Sequence, residues 1–448
     1  MLTYYVYRRV TFETTTALHA GSGEHDPLQD MPIQLDCNGF PVINASSVAG
    51  VLRHLYPGSV ADINSLFGGK DSKDGGSRLV VSDALPLDGH GVAIEGLRPD
   101  LENAKSNYLD TLRKLFYRDH CAHNHRGTAL TNAKFDRSVL IAGVRFILEF
   151  RVGADTADHD RADAEADRLV SLFAHHEFRL GGGTRNGFGA IRPIAVSGRA
   201  YDLTSPADRQ ALLKRSASLA TATGEPELPL PTDTAAEGVS TQTLHLKPEL
   251  FWLCANGTGD GDIDIAPKLE TRVNWDAGVP NVQEDCVILP ATSVKGALRH
   301  RTAYHYHKLN RIFADQLSDD DFNAAAARNA AVDALFGFAN DADTAGQRGR
   351  ILLSDVYFEN PQSKILNHVA IDRFTGGSFQ GALFTEKVIQ GGDIFLNVTI
   401  MPPADAKPED PTIRQALDAA LDDLRHGRLP LGGGVNRGLG AMTEIVDN

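Results

Sequence analysis

Leu431-Gly-Gly-Gly-Val-Asn-Arg-Gly-Leu-Gly-Ala-Met442 lies near the C-terminus, and Leu180-Gly-Gly-Gly-Thr-Arg-Asn-Gly-Phe-Gly-Ala-Ile191 is almost a copy of it. The glycines at 181, 182, 183, 187 and 189 stand in register with those at 432, 433, 434, 438 and 440. Glycine accepts positive φ and lets another backbone come close. Such a loop can therefore lie along a phosphodiester chain with its N–H groups exposed. Arg185 and Asn186 in one copy, and Asn436 and Arg437 in the other, each add a cation and an amide suited to phosphate oxygens or base edges. The same residues also suit a tight turn that packs a hairpin against a helix. Two copies separated by more than half the chain point further, to an internal duplication.

Working outward from the loops, the rest of the chain doubles too. Leu18-His-Ala-Gly-Ser-Gly23 has a counterpart in Cys254-Ala-Asn-Gly-Thr-Gly259. Phe40-Pro-Val-Ile-Asn-Ala-Ser-Ser-Val-Ala-Gly-Val-Leu-Arg53 aligns without a gap on Cys286-Val-Ile-Leu-Pro-Ala-Thr-Ser-Val-Lys-Gly-Ala-Leu-Arg299. Each reads as a short strand, a Ser/Thr N-cap and a helix, with Val48, Val51, Leu52 and Leu55 on one face. Both halves continue with Leu-Phe-Gly and a strand, Arg78–Asp83 or Arg350–Asp355. Insertions rich in His, Asn, Thr and Gly follow around 88–135 and 359–385, and two more strands bracket a turn. An amphipathic helix then leads to the glycine-rich loop, with Ile413, Leu417, Ala420, Leu421 and Leu424 as the stripe of the second copy.

Each half thus predicts strand–helix–strand, strand–helix–strand, an α+β class with the ferredoxin-like split β-α-β pattern and long loop insertions. Residues 202–242 hold Pro226, Pro229 and Pro231 in a Ser/Thr/Ala-rich run, read as a linker with one short helix over Ala207–Leu219. The expected division is 1–200, a linker over 201–242, and 243–448.

The bulk composition narrows the function classes. At 448 residues the chain has room for two or three domains. No apolar run approaches the roughly 18 residues of a membrane helix. The start, Met1 to Val10, lacks the basic-then-apolar order of a signal peptide. Four scattered cysteines (37, 121, 254, 286) form no disulfide framework, which fits a reducing cytoplasm. A net charge of −14 argues against wrapping free nucleic acid, because phosphate neutralisation needs cations. The acid is clustered in 155–167 and 405–423, however, and a local basic groove can coexist with an acidic exterior.

The order Leu18-His-Ala-Gly-Ser-Gly23, Asp30-Met-Pro-Ile33, Pro41–Arg53 and a terminal glycine-rich loop resembles the RAMP superfamily. Within it the resemblance is to backbone subunits of type III CRISPR effector complexes, of the Csm and Cmr kinds. The second half repeats it with Pro290–Arg299 and Ala370-Ile-Asp-Arg-Phe-Thr-Gly-Gly377. Two fused copies look most like type III-D variants. The resemblance implies two tandem ferredoxin-like, RRM-related domains that grip a guide RNA (crRNA), each with a thumb hairpin interrupting the guide–target duplex. It also implies other effector subunits as partners, and target RNA cut beside each thumb by a loop aspartate with Mg²⁺ or Mn²⁺.

Asp30 falls at the family's cleaving position, and the shift that carries Arg53 onto Arg299 carries it onto Asp276. A carboxylate at either place could hold the metal on the scissile phosphate or help remove the 2′-OH proton; a solvated loop acid is the plainer reading. His19 matches a family histidine associated with RNA contact, with Ala255 opposite it in the second half; it could equally cap a strand. Ser46, Ser47 and Arg53, with Thr292, Ser293, Lys295 and Arg299, lie at helix N-termini and along one helix face, a natural phosphate seat or plain N-capping. His120-Cys-Ala-His-Asn-His-Arg126 is too tightly spaced to close one tetrahedral site. It is assigned instead to the first thumb, with Arg126 and Lys134 near RNA. Arg373 and Phe374 take the same place in the second thumb, Phe374 as a wedge against a base. Three rivals remain: a scaffold that binds without cutting, a guide-processing endoribonuclease using a His base, and an unrelated enzyme for a small anionic ligand.

Overall fold

The computed structural model describes residues 2–24, 31–69, 76–102, 104–124, 127–232, 238–257, 259–318, 328–339, 345–403 and 409–445. Strand β1 (Tyr4–Thr14) is followed by helix α1 (Ala45–Leu55), strand β2 (Leu79–Val81) and a hairpin of β3 (Phe116–His123) and β4 (Ala129–Val139). Strand β5 (Arg145–Ala154), helix α2 (His159–Leu172) and strand β6 (Ile191–Asp202) complete the first half. The second half runs β7 (Ser240–Pro248), a hairpin of β8 (Leu269–Asp276) and β9 (Val279–Leu289), α3 (Ala291–Leu309) and β10 (Ile351–Leu352). It continues with a hairpin of β11 (Gln362–Ile371) and β12 (Ser378–Gln390), then β13 (Ile394–Ile400), α4 (Pro411–Arg425) and β14 (Met442–Glu444).

The two main sheets share one order: β2-β5-β1-β6 in the first half and β10-β13-β7-β14 in the second, antiparallel throughout. The alternation of strand residues explains which face is covered. Phe146, Leu148, Phe150 and Val152 of β5 and Val6, Val10 and Phe12 of β1 point inward against Val48, Leu52, Ala166 and Leu169. In the second half Leu244, Leu246, Leu396 and Val398 meet Val294, Leu298 and the α4 stripe Ile413, Leu417, Ala420, Leu421 and Leu424. Each large side chain so buried contributes roughly 1.5–3 kcal/mol. Asp410, whose carboxylate accepts from Thr412 N, and Pro411 start α4 where the stripe begins.

The stretch read as a linker is packed as far as Leu228. Its helix is shorter than expected, Pro206–Lys214. The carbonyls of Ser216, Ser218 and Thr221 accept from the guanidinium of Arg9, Leu219 is buried, and Glu227–Leu228 pairs with the edge of β6. An arginine only 5% exposed needs those acceptors, so the segment belongs physically to the first half.

The halves are knit together. Gly143, at the turn before β5, lies so close to β8 that a Cβ would stand 1.8 Å from Val273 O. Trp275 Nε1 donates to Gly143 O at 2.7 Å, and Arg145 lies over the Trp275 ring at 4.0 Å. Arg118, on the first thumb strand β3, plugs into the second half. Its Nε donates to Glu270 Oε1 at 2.7 Å, its Nη2 to Glu270 Oε2 at 2.5 Å, and its Nη1 to Asp355 Oδ2 at 2.7 Å.

Candidate nucleic-acid interface

The glycine-rich loops share their anchoring hydrogen bonds. Leu180 N donates to Gly189 O and Leu431 N to Gly440 O, both at 2.9 Å. Gly182 N donates to His19 O at 2.8 Å and Gly433 N to Leu253 O at 2.7 Å. Gly189 N reaches Ala17 O, and Gly440 N reaches Phe251 O. For Gly182, Gly189, Gly433 and Gly440 these bonds correct the expectation of exposed loop N–H groups, because the strand end they sit on accepts them. Gly181 shows why the residue is needed: φ is +80°, and a Cβ would stand 2.2 Å from His19 O. The short-turn reading holds for these glycines.

The same bonds correct the alignment of the halves. His19 stands opposite Leu253, not Ala255. Gln34 N donates to Ala20 O and Lys268 N to Cys254 O, both at 2.7 Å; Ser138 N donates to Met31 O, and Lys387 N to Ile265 O. The shift carrying Gln34 onto Lys268 and Met31 onto Ile265 therefore carries Asp30 onto Asp264, and Asp276 has no equivalence to Asp30. The ungapped slide failed because the β8–β9 hairpin is much longer than the Leu35–Pro41 connection it replaces. An Asp-x-Ala-Pro phrase at 264–267 was the signal available in the sequence.

Asp30 lies outside the described residues. Asp276 is exposed at the β8–β9 tip, where Ala277 and Gly278 turn with positive φ, and the hairpin leans on the first half through Trp275. Asp264 is exposed at the base of the second thumb. Its Oδ2 accepts from Thr385 N at 2.7 Å and from Thr385 Oγ1 at 3.1 Å, while Oδ1 has no partner among the described residues. Among the described residues no group of three or more His, Cys, Asp or Glu side chains could hold a metal ion.

His19 is buried, and its Nδ1 lies 2.8 Å from Ser138 O. A carbonyl can only accept, so Nδ1 carries the proton and the neutral ring presents Nε2 as an acceptor. Burial holds its pKa below the ordinary histidine value, with Ser138 opposing and the Arg137 charge assisting. Ser46 and Ser47 are exposed on the first turn of α1. The helix-end phosphate seats are occupied from within: Ala45 N donates to Asp83 Oδ1 at 2.7 Å and Ala291 N to Asp355 Oδ1 at 2.8 Å. Thr292 and Ser293 are half-buried beside the Asp355 seat.

Several expected cations have partners within the protein. Arg53 donates to Gly68 O and Asn64 Oδ1 and lies over Phe67. Arg299 is half-buried, its pKa lowered by burial against the raising influence of Asp333. Lys295 is buried between the halves with Nζ 2.6 Å from Arg185 O; burial, then Arg185, Arg179 and Arg299, lower its pKa to about 8. Arg185 pairs with Glu177, and Arg437 with Glu386. Asn186 and Asn436 are exposed. In the first thumb Lys134 is exposed 3.6 Å from Asp119, and Arg126 lies outside the described residues. At the second thumb tip Asp372 Oδ1 accepts from Phe374 N and Thr375 N, which presents Phe374 93% exposed beside exposed Arg373.

The model of the RAMP superfamily matches residues 11–192 and again 241–443. The chain belongs to the RAMP superfamily. No curated protein sequence matches it. Among solved structures, a chain of the "Type III-B Cmr-beta bound to cognate target RNA" is similar over 43% of this RAMP protein, at 15% identity and a TM-score of 0.31. The match spans 60% of that neighbour's own length. No helix among the described residues is long and apolar enough to cross a membrane.

Proposed function

We propose that this RAMP protein is a guide-RNA-binding backbone subunit of a type III CRISPR effector complex, taking two consecutive places along the guide. Its partners are then guide RNA, complementary target RNA and other effector subunits. One observation carries the reading: the whole RAMP body occurs twice, each time with a glycine-rich loop seated on the first-strand end and a thumb hairpin rising beside it. The shared sheet order, with helices in both crossovers, supports a ferredoxin-like, RRM-related core for each half.

The cutting step is assigned to Asp30 and, by the backbone register, to Asp264 in place of Asp276. Thr385 fixes one oxygen of Asp264, and the other has no partner among the described residues. One carboxylate suits Mg²⁺ or Mn²⁺, which commonly takes its remaining ligands from water and the substrate phosphate. Bound there, the metal would polarise the scissile phosphate, and the protein's part is to hold that carboxylate still.

The test is target cleavage by the assembled complex containing Asp30→Ala, Asp264→Ala or Asp276→Ala. Loss of one cut with the first variant and of a neighbouring cut with the second is expected, with Asp276→Ala cutting at both. Loss of the second cut with Asp276→Ala would reverse the assignment, and unchanged cutting with all three would leave a scaffold that binds without cutting.

A further inference from the structure

The base of each thumb holds one position whose charge is opposite in the two halves. Leu18 pairs with Leu140 and Trp252 with Ile389, so Arg137, three residues before Leu140, corresponds to Glu386, three before Ile389. Both side chains turn toward the glycine-rich loop of their own half. Arg137 Nη1 lies against Gly183, where a Cβ would stand 2.2 Å from it; Glu386 accepts from Arg437 Nη2 at 2.6 Å.

In the second half the charges cancel locally. Glu386 is fully buried and holds His368 Nε2 at 2.9 Å as well as Arg437. The described residues of the first half show no such closure. Among the described residues no carboxylate pairs with Arg137; its guanidinium lies over the Phe188 ring at 5.5 Å, and its Nε is buried without a hydrogen-bond partner. Burial holds its pKa below the ordinary arginine value. Arg118 and Lys268 stand nearby, Arg118 matched by Glu270 and Asp355, and Lys268 4.0 Å from Glu270. Together with burial, the larger effect, they and Arg137 push His120 down to about 4. The nearby acids Glu270 and Asp355 are already taken by Arg118. A half-buried guanidinium without a counter-ion costs free energy that an arriving anion returns.

We propose that the first half alone carries a phosphodiester seat at its thumb base, with Arg137 binding the phosphate oxygens, and that Glu386 closes the equivalent place in the second half. The inference rests on the RNA-binding reading above and assigns unequal shares of the electrostatic grip to the two halves.

Fluorescence anisotropy of the full chain with a labelled single-stranded RNA, repeated over a salt series, counts the phosphates neutralised. Each one lost lowers the slope of log affinity against log salt by about 0.7. Arg137→Met keeps the apolar stem on Phe188; it should weaken binding about tenfold at low salt and lower the slope by one such step. Glu386→Gln frees Arg437 and should raise the slope by one step, and Glu386→Gln with Arg437→Met should cancel that gain. An unchanged slope in Arg137→Met overturns the proposal, as does an unchanged slope in folded Glu386→Gln. If circular dichroism shows Glu386→Gln unfolded, the Arg137→Met result decides. Absence of RNA binding by the unaltered chain refutes the functional reading and this inference together; equal slopes with RNA still bound refute only the inference.

Discussion

Arg118→Ala should separate the halves energetically. The guanidinium is 1% exposed and makes three hydrogen bonds to two carboxylates, with Phe188 beneath it at 4.7 Å. Burial alone would lower the Arg118 pKa, but Asp355 and Glu270 together raise it; Asp355, wholly buried, is pushed up by burial despite its partner. Removing the cation leaves Asp355 uncompensated in the interior, which costs about 3–5 kcal/mol. Arg118→Lys keeps the charge but not the fork, so its loss should be intermediate. Adding Asp355→Asn to Arg118→Ala should recover part of the loss, because the orphaned charge goes with it.

The two tryptophans make the effect readable in urea. Trp252 is buried in the second core, whereas Trp275 sits at the inter-half contact beside Tyr108. With Trp252→Phe as background, Trp275 fluorescence reports the contact alone. The expected outcome is a Trp275 transition that moves to lower urea in Arg118→Ala and precedes the unfolding followed by far-ultraviolet circular dichroism. A shift worth under about 1 kcal/mol, with both transitions coincident, would refute the idea that this buried cluster joins the halves.

Two further outcomes follow from local geometry. Asp423 accepts from Arg301, His305 and Arg428, which hold its carboxyl far below the usual range despite burial. A depressed folded pKa gives stability that is present above the unfolded value, near 4, and is lost as pH falls through the folded value. Asp423→Asn should therefore destabilise most at neutral pH, and the gap to the unaltered protein should narrow in acid, as thermal melts across pH would show. Gly181→Ala should cost more than about 3 kcal/mol, combining positive-φ strain with a backbone clash at 2.2 Å. Gly438→Ala, at φ +86° with no atom within 4 Å, should cost only about 1–2 kcal/mol. Equal melting shifts in the two glycine variants would refute the close-packing account.

The duplication was legible because it is written in local chemistry. Ile413, Leu417, Ala420, Leu421 and Leu424 fix one helix face by spacing, and the glycines of 181–189 and 432–440 mark turns wherever they occur. The catalytic candidates were less legible. Pairing Asp276 with Asp30 assumed equal connections on both sides of the strand, and only the hydrogen bonds from Gln34 and Lys268 revealed the extra hairpin.

The residue pattern by itself settled that two like α+β modules follow one another, since periodicity, caps and turns act over a few neighbours. Which cations find a partner inside the protein was decided by the folded chain. Lys295, Arg185 and Arg437 resemble phosphate ligands in the chain, yet Lys295 donates to Arg185 O in the opposite half, Arg437 pairs with Glu386 51 residues away, and Arg185 pairs with Glu177, 8 residues away. A charge takes whichever partner the folded chain brings within hydrogen-bonding distance, and that partner is not a property of its neighbours in sequence.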